Sequence, residues 1–231
     1  MELTGARTLV VGGTGVLGGK VVRALHEAGA RSVVTGRSAE RLAALAGVAE
    51  GTVELDVLDV AACREAVARA ADTLGGLDLV VVASGVAGFG SAAETPDTVN
   101  EELFAVNALG PIAVLSAAVP VMSGGGTLVA FSAILADVPM AQMAAYSASK
   151  AALSAYLTAL RREVRRAGIS VLDVRPPHLE TGLADRAVSG TPPTLPAGYD
   201  VDAFIALLVE GIRSGARELV WDAGAKDLAL R

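Results

Sequence analysis

Thr8-Leu9-Val10-Val11-Gly12-Gly13-Thr14-Gly15-Val16-Leu17-Gly18-Gly19 is the stretch that decides how this chain folds. Thr8–Val11 is short, aliphatic and β-branched, the composition of a strand buried on both faces. A glycine-rich turn follows, and a helical pattern runs from Val16 to Ala28. Two glycine spacings overlap here. Gly13, Gly15 and Gly18 fit G-x-G-x-x-G, while Gly12, Gly15 and Gly18 fit G-x-x-G-x-x-G. Either way the first glycines permit a tight turn and a close backbone approach to a pyrophosphate. The helix start then offers unpaired N–H groups and the positive end of its dipole. Strand, turn and helix in that order are the context such a motif needs to be read as a dinucleotide site. Gly12, Thr14, Gly15, Val16 and Leu17 are therefore candidate cofactor contacts.

Working outward, short aliphatic runs alternate with helical ones. Strands are expected at Thr8–Val11, Arg31–Val34, Thr52–Leu55, Leu79–Val82, Thr127–Phe131, Ser170–Val174 and Glu218–Trp221. Helices are expected at Val16–Ala28, Ala39–Leu45, Val60–Thr73, Val99–Val119, Ala141–Ala167 and Val201–Ser214, with Thr98 and Glu101 as a capping box before the fourth. Such alternation implies an α/β fold, one doubly wound seven-stranded parallel sheet with helices on both faces. No linker, repeat or shift of composition divides it, so residues 1–231 are expected to form one domain. The Pro/Gly-rich region at 182–200 reads as a surface loop and the expected substrate lid.

The composition narrows the function. There are 19 basic and 25 acidic residues, a net charge of −6, which speaks against a nucleic-acid partner bound through its phosphates. One cysteine, Cys63, and two histidines, His26 and His178, leave no basis for a disulfide framework or a zinc cluster, and no metal is expected. The N-terminal apolar run breaks at Gly12 without a cleavage pattern, so no signal peptide is expected. Phe104–Ala136 has no charged residue. Its Asn107, Pro111, Pro120 and Gly124–Gly126 make it a buried helix, turn and strand rather than a membrane span. A cytoplasmic protein without a membrane partner is the expectation.

The second strand ends in Thr35-Gly36-Arg37-Ser38. An acid about 20 residues beyond the glycine turn usually holds the ribose 2′-OH of NAD. Here none is present, and the planar, permanently charged fork of Arg37 suits a 2′-phosphate, which points to NADP(H). Asp56, after the third strand, is placed to approach the adenine edge. Further on, Tyr146-Ser147-Ala148-Ser149-Lys150 begins a long Ala-rich helix. Residues four apart share a helix face, so Tyr146 and Lys150 are neighbours. A tyrosine titrates near about 10 when free. A neighbouring ammonium and a bound oxidised nicotinamide both favour the phenolate, making the pair an acid/base near neutrality. Pro111 has no N–H to give to the carbonyl of Asn107, four residues earlier, which frees that carbonyl to bind a water leading to Lys150.

These pieces in this order resemble the short-chain dehydrogenase/reductase family: the glycine turn, Asp56-Val57, Asn107, the serines before Tyr146, Tyr146-Ser147-Ala148-Ser149-Lys150, and Arg175-Pro176-Pro177 followed by Thr181. The resemblance covers nearly the whole chain. It implies a Rossmann fold and hydride transfer between NADP(H) and a small-molecule ketone or aldehyde, or the corresponding secondary alcohol. Tyr146 would be the proton donor or acceptor and Lys150 its partner and ribose contact. Ser132 would orient the substrate oxygen, and Asn107 would complete a water relay. Ser38, Val57, Ala83, Ser84, Gly85, Pro176, Leu179 and Thr181 join the expected cofactor contacts. The family also implies a homodimer or homotetramer. The helices over 99–119 and 141–167 supply faces for it, one apolar nearly all round and the other rich in Ala and Ser.

Four departures stand out. Asn-Asn-Ala-Gly after the fourth strand is Val82-Ala83-Ser84-Gly85, and Pro-Gly after the sixth is Pro176-Pro177. The glycine spacing resembles a longer, epimerase-like branch of the family, for whose extra substrate domain 231 residues leave little room. The serine usual 13 residues before the tyrosine is Ala133, with Ser132 beside it. A one-residue bulge at the strand end would turn Ser132 into the site. Without it, no serine polarises the substrate. Ala133 and the lost asparagines leave, as the alternative, a catalytically impaired NADP(H)-binding sensor or scaffold of the same fold.

Overall fold

The computed structural model describes residues 1–122 and 124–231. The first half contains β1 (Arg7–Val11), α1 (Val16–Glu27), β2 (Arg31–Gly36), α2 (Ala39–Ala43), β3 (Gly51–Glu54), α3 (Val60–Leu74) and β4 (Leu79–Val82). The second contains α4 (Asp97–Phe104), α5 (Gly110–Ala118), β5 (Gly126–Phe131), α6 (Ala144–Glu163), β6 (Ile169–Arg175), α7 (Val201–Ser214), β7 (Glu218–Asp222) and β8 (Asp227–Leu230). The sheet order is β3-β2-β1-β4-β5-β6-β7-β8. Winding starts at β1 and runs outward both ways, so the order reverses between β1 and β4. The crevice beyond the carboxyl ends of those two strands is where such sheets bind ligands.

The continuous apolar runs follow from burial on both faces. Leu9 and Val11 join Val80 and Val82 under α3, α5 and α6, while Val10 joins Val34, Val81 and Val129 under α1 and α7. Neighbouring residues of one strand thus feed two separate cores, as the two-residue period requires. Helix ends follow local chemistry. Asp59 accepts the N–H groups of Ala61 and Ala62, both at 2.9 Å, at the start of α3, and Gly75, at φ 78°, ends it in the left-handed conformation.

The expected α/β doubly wound sheet is present, with an eighth strand. β8 pairs antiparallel with β7 and lies at the sheet edge. The helix expected over 99–119 is interrupted. α4 begins at Asp97 with Pro96 as its N-cap, so Thr98 lies inside the first turn and makes no cap hydrogen bond. A π-helical turn, Ala105–Leu109, then widens the helix around Asn107 before α5. Pro111 sits at the start of α5, where its missing N–H is tolerated by the widened turn. The segment Asp97–Val121 is long and apolar enough to cross a membrane, and half of its most apolar window is buried against the rest of the protein.

Candidate active site

The site is assembled where β1 and β4 end side by side, with the N–H of Ala83 donating to the carbonyl of Val11 at 2.8 Å. Gly12 turns the chain at φ 80°, and a Cβ there would lie 2.8 Å from the backbone nitrogen of Ser84. A Cβ on Gly18 would run into the carbonyl of Gly12. The glycines therefore let the turn close on itself and on β4. The N–H of Gly13 donates to Thr35 at 2.9 Å, tying the turn to β2. α1 starts from Gly15, which has no side chain to cap it. Its first N–H groups face the crevice together with the Ser84 hydroxyl, which is buried without a protein partner among the described residues. Uncapped helix amides, a cradle that only glycine fits and an orphaned hydroxyl are together what a dinucleotide pyrophosphate requires.

Beyond β2, a side chain on Gly36 would collide with Thr14, so Thr14 stands between the glycine turn and the β2 end. Arg37 is exposed and makes no ion pair among the described residues. The Ser38 hydroxyl accepts the N–H of Arg41 and caps α2. The Asp56 carboxylate accepts the N–H of Leu58 at 3.0 Å, and Val57 is buried behind it.

α6 carries the other half. Tyr146, Ser149, Lys150, Leu153 and Leu157 form its inward face. The Lys150 Nζ lies 5.9 Å from the Tyr146 ring centre and donates to the carbonyl of Phe131, at the end of β5, at 2.9 Å. Burial pushes the Tyr146 hydroxyl up to about 12 and brings the Lys150 ammonium down to about 8, the latter opposed by the charge of Asp173. Before any ligand adds charge, burial thus holds the phenol protonated. Asn107 is fully buried in the π turn. Its side-chain amide pairs with both backbone groups of Val86, each at 3.0 Å, and donates to the Ser149 hydroxyl at 3.0 Å. It thereby joins the loop after β4 to α6. A Cβ on Gly85 would lie 3.2 Å from Lys150 Nζ and 3.3 Å from Asn107 Oδ1, which is why the chain passes so close here.

Ser132 differs from expectation. The β5–β6 register is regular from Gly126 to Phe131, Ala133 is extended at φ −169°, and no bulge turns Ser132 around. Its hydroxyl donates to the buried carboxylate of Asp173 at 2.5 Å. Asp173 also accepts from Ser154 on α6 at 2.6 Å and from Arg175 at 2.8 Å, and Arg175 reaches on to Asp137 and Glu218. Burial works against the charge of Arg175, but its hydrogen bonds to Asp137 and Asp173 more than offset this and hold its pKa above the usual range. The sequence reading missed this cluster. Its signal was a strand with charges at alternate positions, Asp173 and Arg175, among apolar neighbours. Arg161, near the end of α6, donates to the carbonyls of Val171 and Arg217.

A cleft of about 360 Å³ runs between these halves. Gly15, Val16, Leu17, Ala83, Ser84 and Gly85 line one end, and Ser132, Ala133, Tyr146, Lys150, Pro176, Leu179 and Thr181 line its middle. Gly12, Thr14, Arg37, Ser38, Asp56, Val57 and Asn107 stand behind or beside it rather than on its wall. Phe89, Ile134, Val138, Met140 and Met143 also line it, residues with no motif to mark them. The region over 182–200 holds a short 3₁₀ turn, Ala184–Arg186, and is anchored at several points. Val188 donates to Ala87, Ser189 accepts from Phe89, and Tyr199 bridges to Leu179.

The family model of the short chain dehydrogenases matches residues 6–191. Among curated relatives, an uncharacterized oxidoreductase of Myxococcus xanthus is 34% identical over 226 residues, covering 94% of this chain and 88% of that one. Dehydrogenase/reductase SDR family member 7B of Bos taurus is 32% identical over 198 residues, 80% of this chain and 61% of the relative. The chain thus matches 61%, 62% and 63% of the length of the bovine, mouse and zebrafish relatives. A short chain dehydrogenase from Burkholderia cenocepacia, solved in complex with NADP, superposes with a TM-score of 0.82 at 30% identity, covering 92% of each chain. Another from Streptomyces avermitilis gives 0.85 at 25% identity, covering 96% and 90%. The chain belongs to the short chain dehydrogenase family of oxidoreductases, built on a fold that binds a nicotinamide cofactor.

Proposed function

We propose that this protein is an NADP(H)-dependent reductase or dehydrogenase acting on a ketone, an aldehyde or a secondary alcohol. The observation that carries the reading is the placement of Tyr146 and Lys150 together on the wall of the cleft that the glycine turn opens. Arg37 favours NADP(H), because an exposed guanidinium with no carboxylate partner among the described residues is available for a 2′-phosphate as a charge-assisted contact. Two Burkholderia neighbours solved with NADP support the same choice.

When bound, the nicotinamide supplies or accepts the hydride. Thr14, Gly15, Val16 and Leu17 would hold the pyrophosphate, with Ser84 as a further donor. In the reducing direction Tyr146 gives its hydroxyl proton to the substrate oxygen as charge develops there, and the Lys150 ammonium steadies the resulting phenolate. Lys150 would also hold the nicotinamide ribose. The proton is replaced from solvent through a water held at the carbonyl of Asn107, which cannot receive an N–H from Pro111. The loop over 182–200 closes over the substrate as a lid, and the protein works in the cytoplasm as a homo-oligomer.

A specific observation favours a second reading, a cofactor-binding sensor or scaffold: Ala133 stands where the family has its serine, and Ser132 is engaged by Asp173. A screen of carbonyl compounds with NADPH, followed at the nicotinamide absorbance, separates the two. Turnover that is lost in Tyr146→Phe supports the enzyme; tight NADPH binding with no turnover of any compound supports the sensor.

A further inference from the structure

Three features of the cleft beyond Tyr146 bear on what it accepts. First, hydrogen-bonding capacity near the tyrosine is low. Ala133 presents a methyl group, and the neighbouring Ser132 hydroxyl is spent on Asp173. Second, few charged groups border the cleft. Lys150 donates to the Phe131 carbonyl, Arg186 donates to the Thr181 carbonyl at 3.2 Å, and His178 lies 3.3 Å from Glu180. Lys150, beside Tyr146, is buried, so a substrate anion there would be poorly solvated, and Arg186 is exposed, so an anion there would gain little over water. Third, the way out is apolar. Ile134, Leu135 and Met143 lead from Tyr146 to a lip where Val138 is 63% exposed and Met140 39% exposed. Large apolar side chains in contact with water are unremarkable when scattered. Here they continue the cleft wall, which is the pattern of a binding groove. Two of the five are methionines, whose unbranched chains adapt to irregular apolar shapes.

We infer that the substrate is uncharged and carries an extended apolar substituent, which lies along Ile134, Leu135 and Met143 and runs out over Val138 and Met140. This rests on the carbonyl/alcohol reading above and narrows it from any ketone to long, apolar ones. The reacting oxygen sits at Tyr146, and selectivity comes from removing the substituent from water rather than from a charged anchor. Each methylene placed on the wall contributes a roughly constant factor, about fourfold in kcat/KM.

The test is a series of methyl ketones from butanone to decanone, assayed with NADPH, beside the same ketones ending in a carboxylate. The expected result is a steady rise in kcat/KM of about fourfold per methylene, levelling where the chain clears the lip, and absent in the carboxylates. Calorimetric binding of the matching secondary alcohols to the cofactor-saturated protein follows the same slope. Val138→Asp combined with Met140→Glu lowers the decanone-to-butanone ratio of kcat/KM. A flat series with measurable turnover, or a preference for the carboxylate ketones, overturns the inference while leaving carbonyl reduction standing. Absence of both binding and turnover for every ketone overturns the carbonyl reading itself. If the lip variants leave the ratio unchanged but alter the sedimentation coefficient, the lip is a contact between copies and the substrate assignment is wrong.

Discussion

Tyr146 and Lys150 are pushed in opposite directions by the same cause. Burial disfavours charge on each, so the phenol rises to about 12 and the ammonium falls to about 8. Tyr146→Phe keeps the ring and its packing but removes the proton, so turnover should disappear while NADPH affinity, measured by fluorescence titration, stays close to that of the parent. The Lys150 shift sets the pH dependence of reduction. As pH rises through about 8 the lysine loses the charge that steadies the developing phenolate, so kcat/KM for reduction should fall above that point. A profile flat from neutrality to well above it would show that Lys150 does not act through its charge. The same shift carries a stability consequence. Between about 8 and its ordinary 10.5 the unfolded chain binds the lysine proton and the folded one does not, so this group makes stability rise with pH across that window. Lys150→Met should remove that part of the rise, as read from urea unfolding of both proteins at either end of the window.

At the scale of elements, the site depends on where β4, β5, β6 and α6 are pinned to one another. Asn107, in the π turn, binds the Val86 backbone and Ser149, while Asp173 collects Ser132, Ser154 and Arg175. Both are buried polar groups that lose their partners all at once when replaced. Asp173→Asn removes one of the three carboxylates that Arg175 holds, leaving Asp137 and Glu218, and should cost about 1–3 kcal/mol in urea unfolding. Ser132→Ala removes one of three partners and should cost about 1–2 kcal/mol, with kcat/KM within about a factor of three of the parent. A loss of about a hundredfold in kcat without that loss of stability would instead place the Ser132 hydroxyl on the substrate, the size expected for a missing transition-state donor.

At the scale of the whole molecule, one face carries exposed apolar side chains. Leu109 is 54% exposed on the π-helical segment, Phe104 is 36% exposed at the end of α4, and Leu58, on the nearby loop after β3, is 48% exposed. The outward side of α6 carries Ala144, Ala148, Ala155 and Ala159, small enough for a second helix to approach closely. A homo-oligomer built on these faces should sediment as a dimer or tetramer at micromolar concentration. Leu109→Glu should shift it toward monomer by placing a charge inside the contact. A monomer in the parent protein would contradict this.

Local patterns alone determined the layered fold. Leu9, Val10 and Val11 alternate between two cores, and the spacing of the Gly12–Gly18 turn already implied an uncapped helix start, because such regularities are set by neighbours in the chain. The four-residue spacing that puts Tyr146 and Lys150 on one face is likewise a property of any helix. What lay outside the reach of local pattern was every feature that depends on distant partners. The Ser132 hydroxyl was open to two strand geometries until Asp173, from another strand, took it. The π turn around Asn107 depends on how Val86 and Ser149 hold its amide. β8 is a strand because Leu228 and Leu230 find β7, and the apolar lip of Val138 and Met140 belongs to the cleft because the loop after β5 folds beside α6. Such pairings gain free energy only when both partners arrive, so neither partner's own stretch of sequence records them.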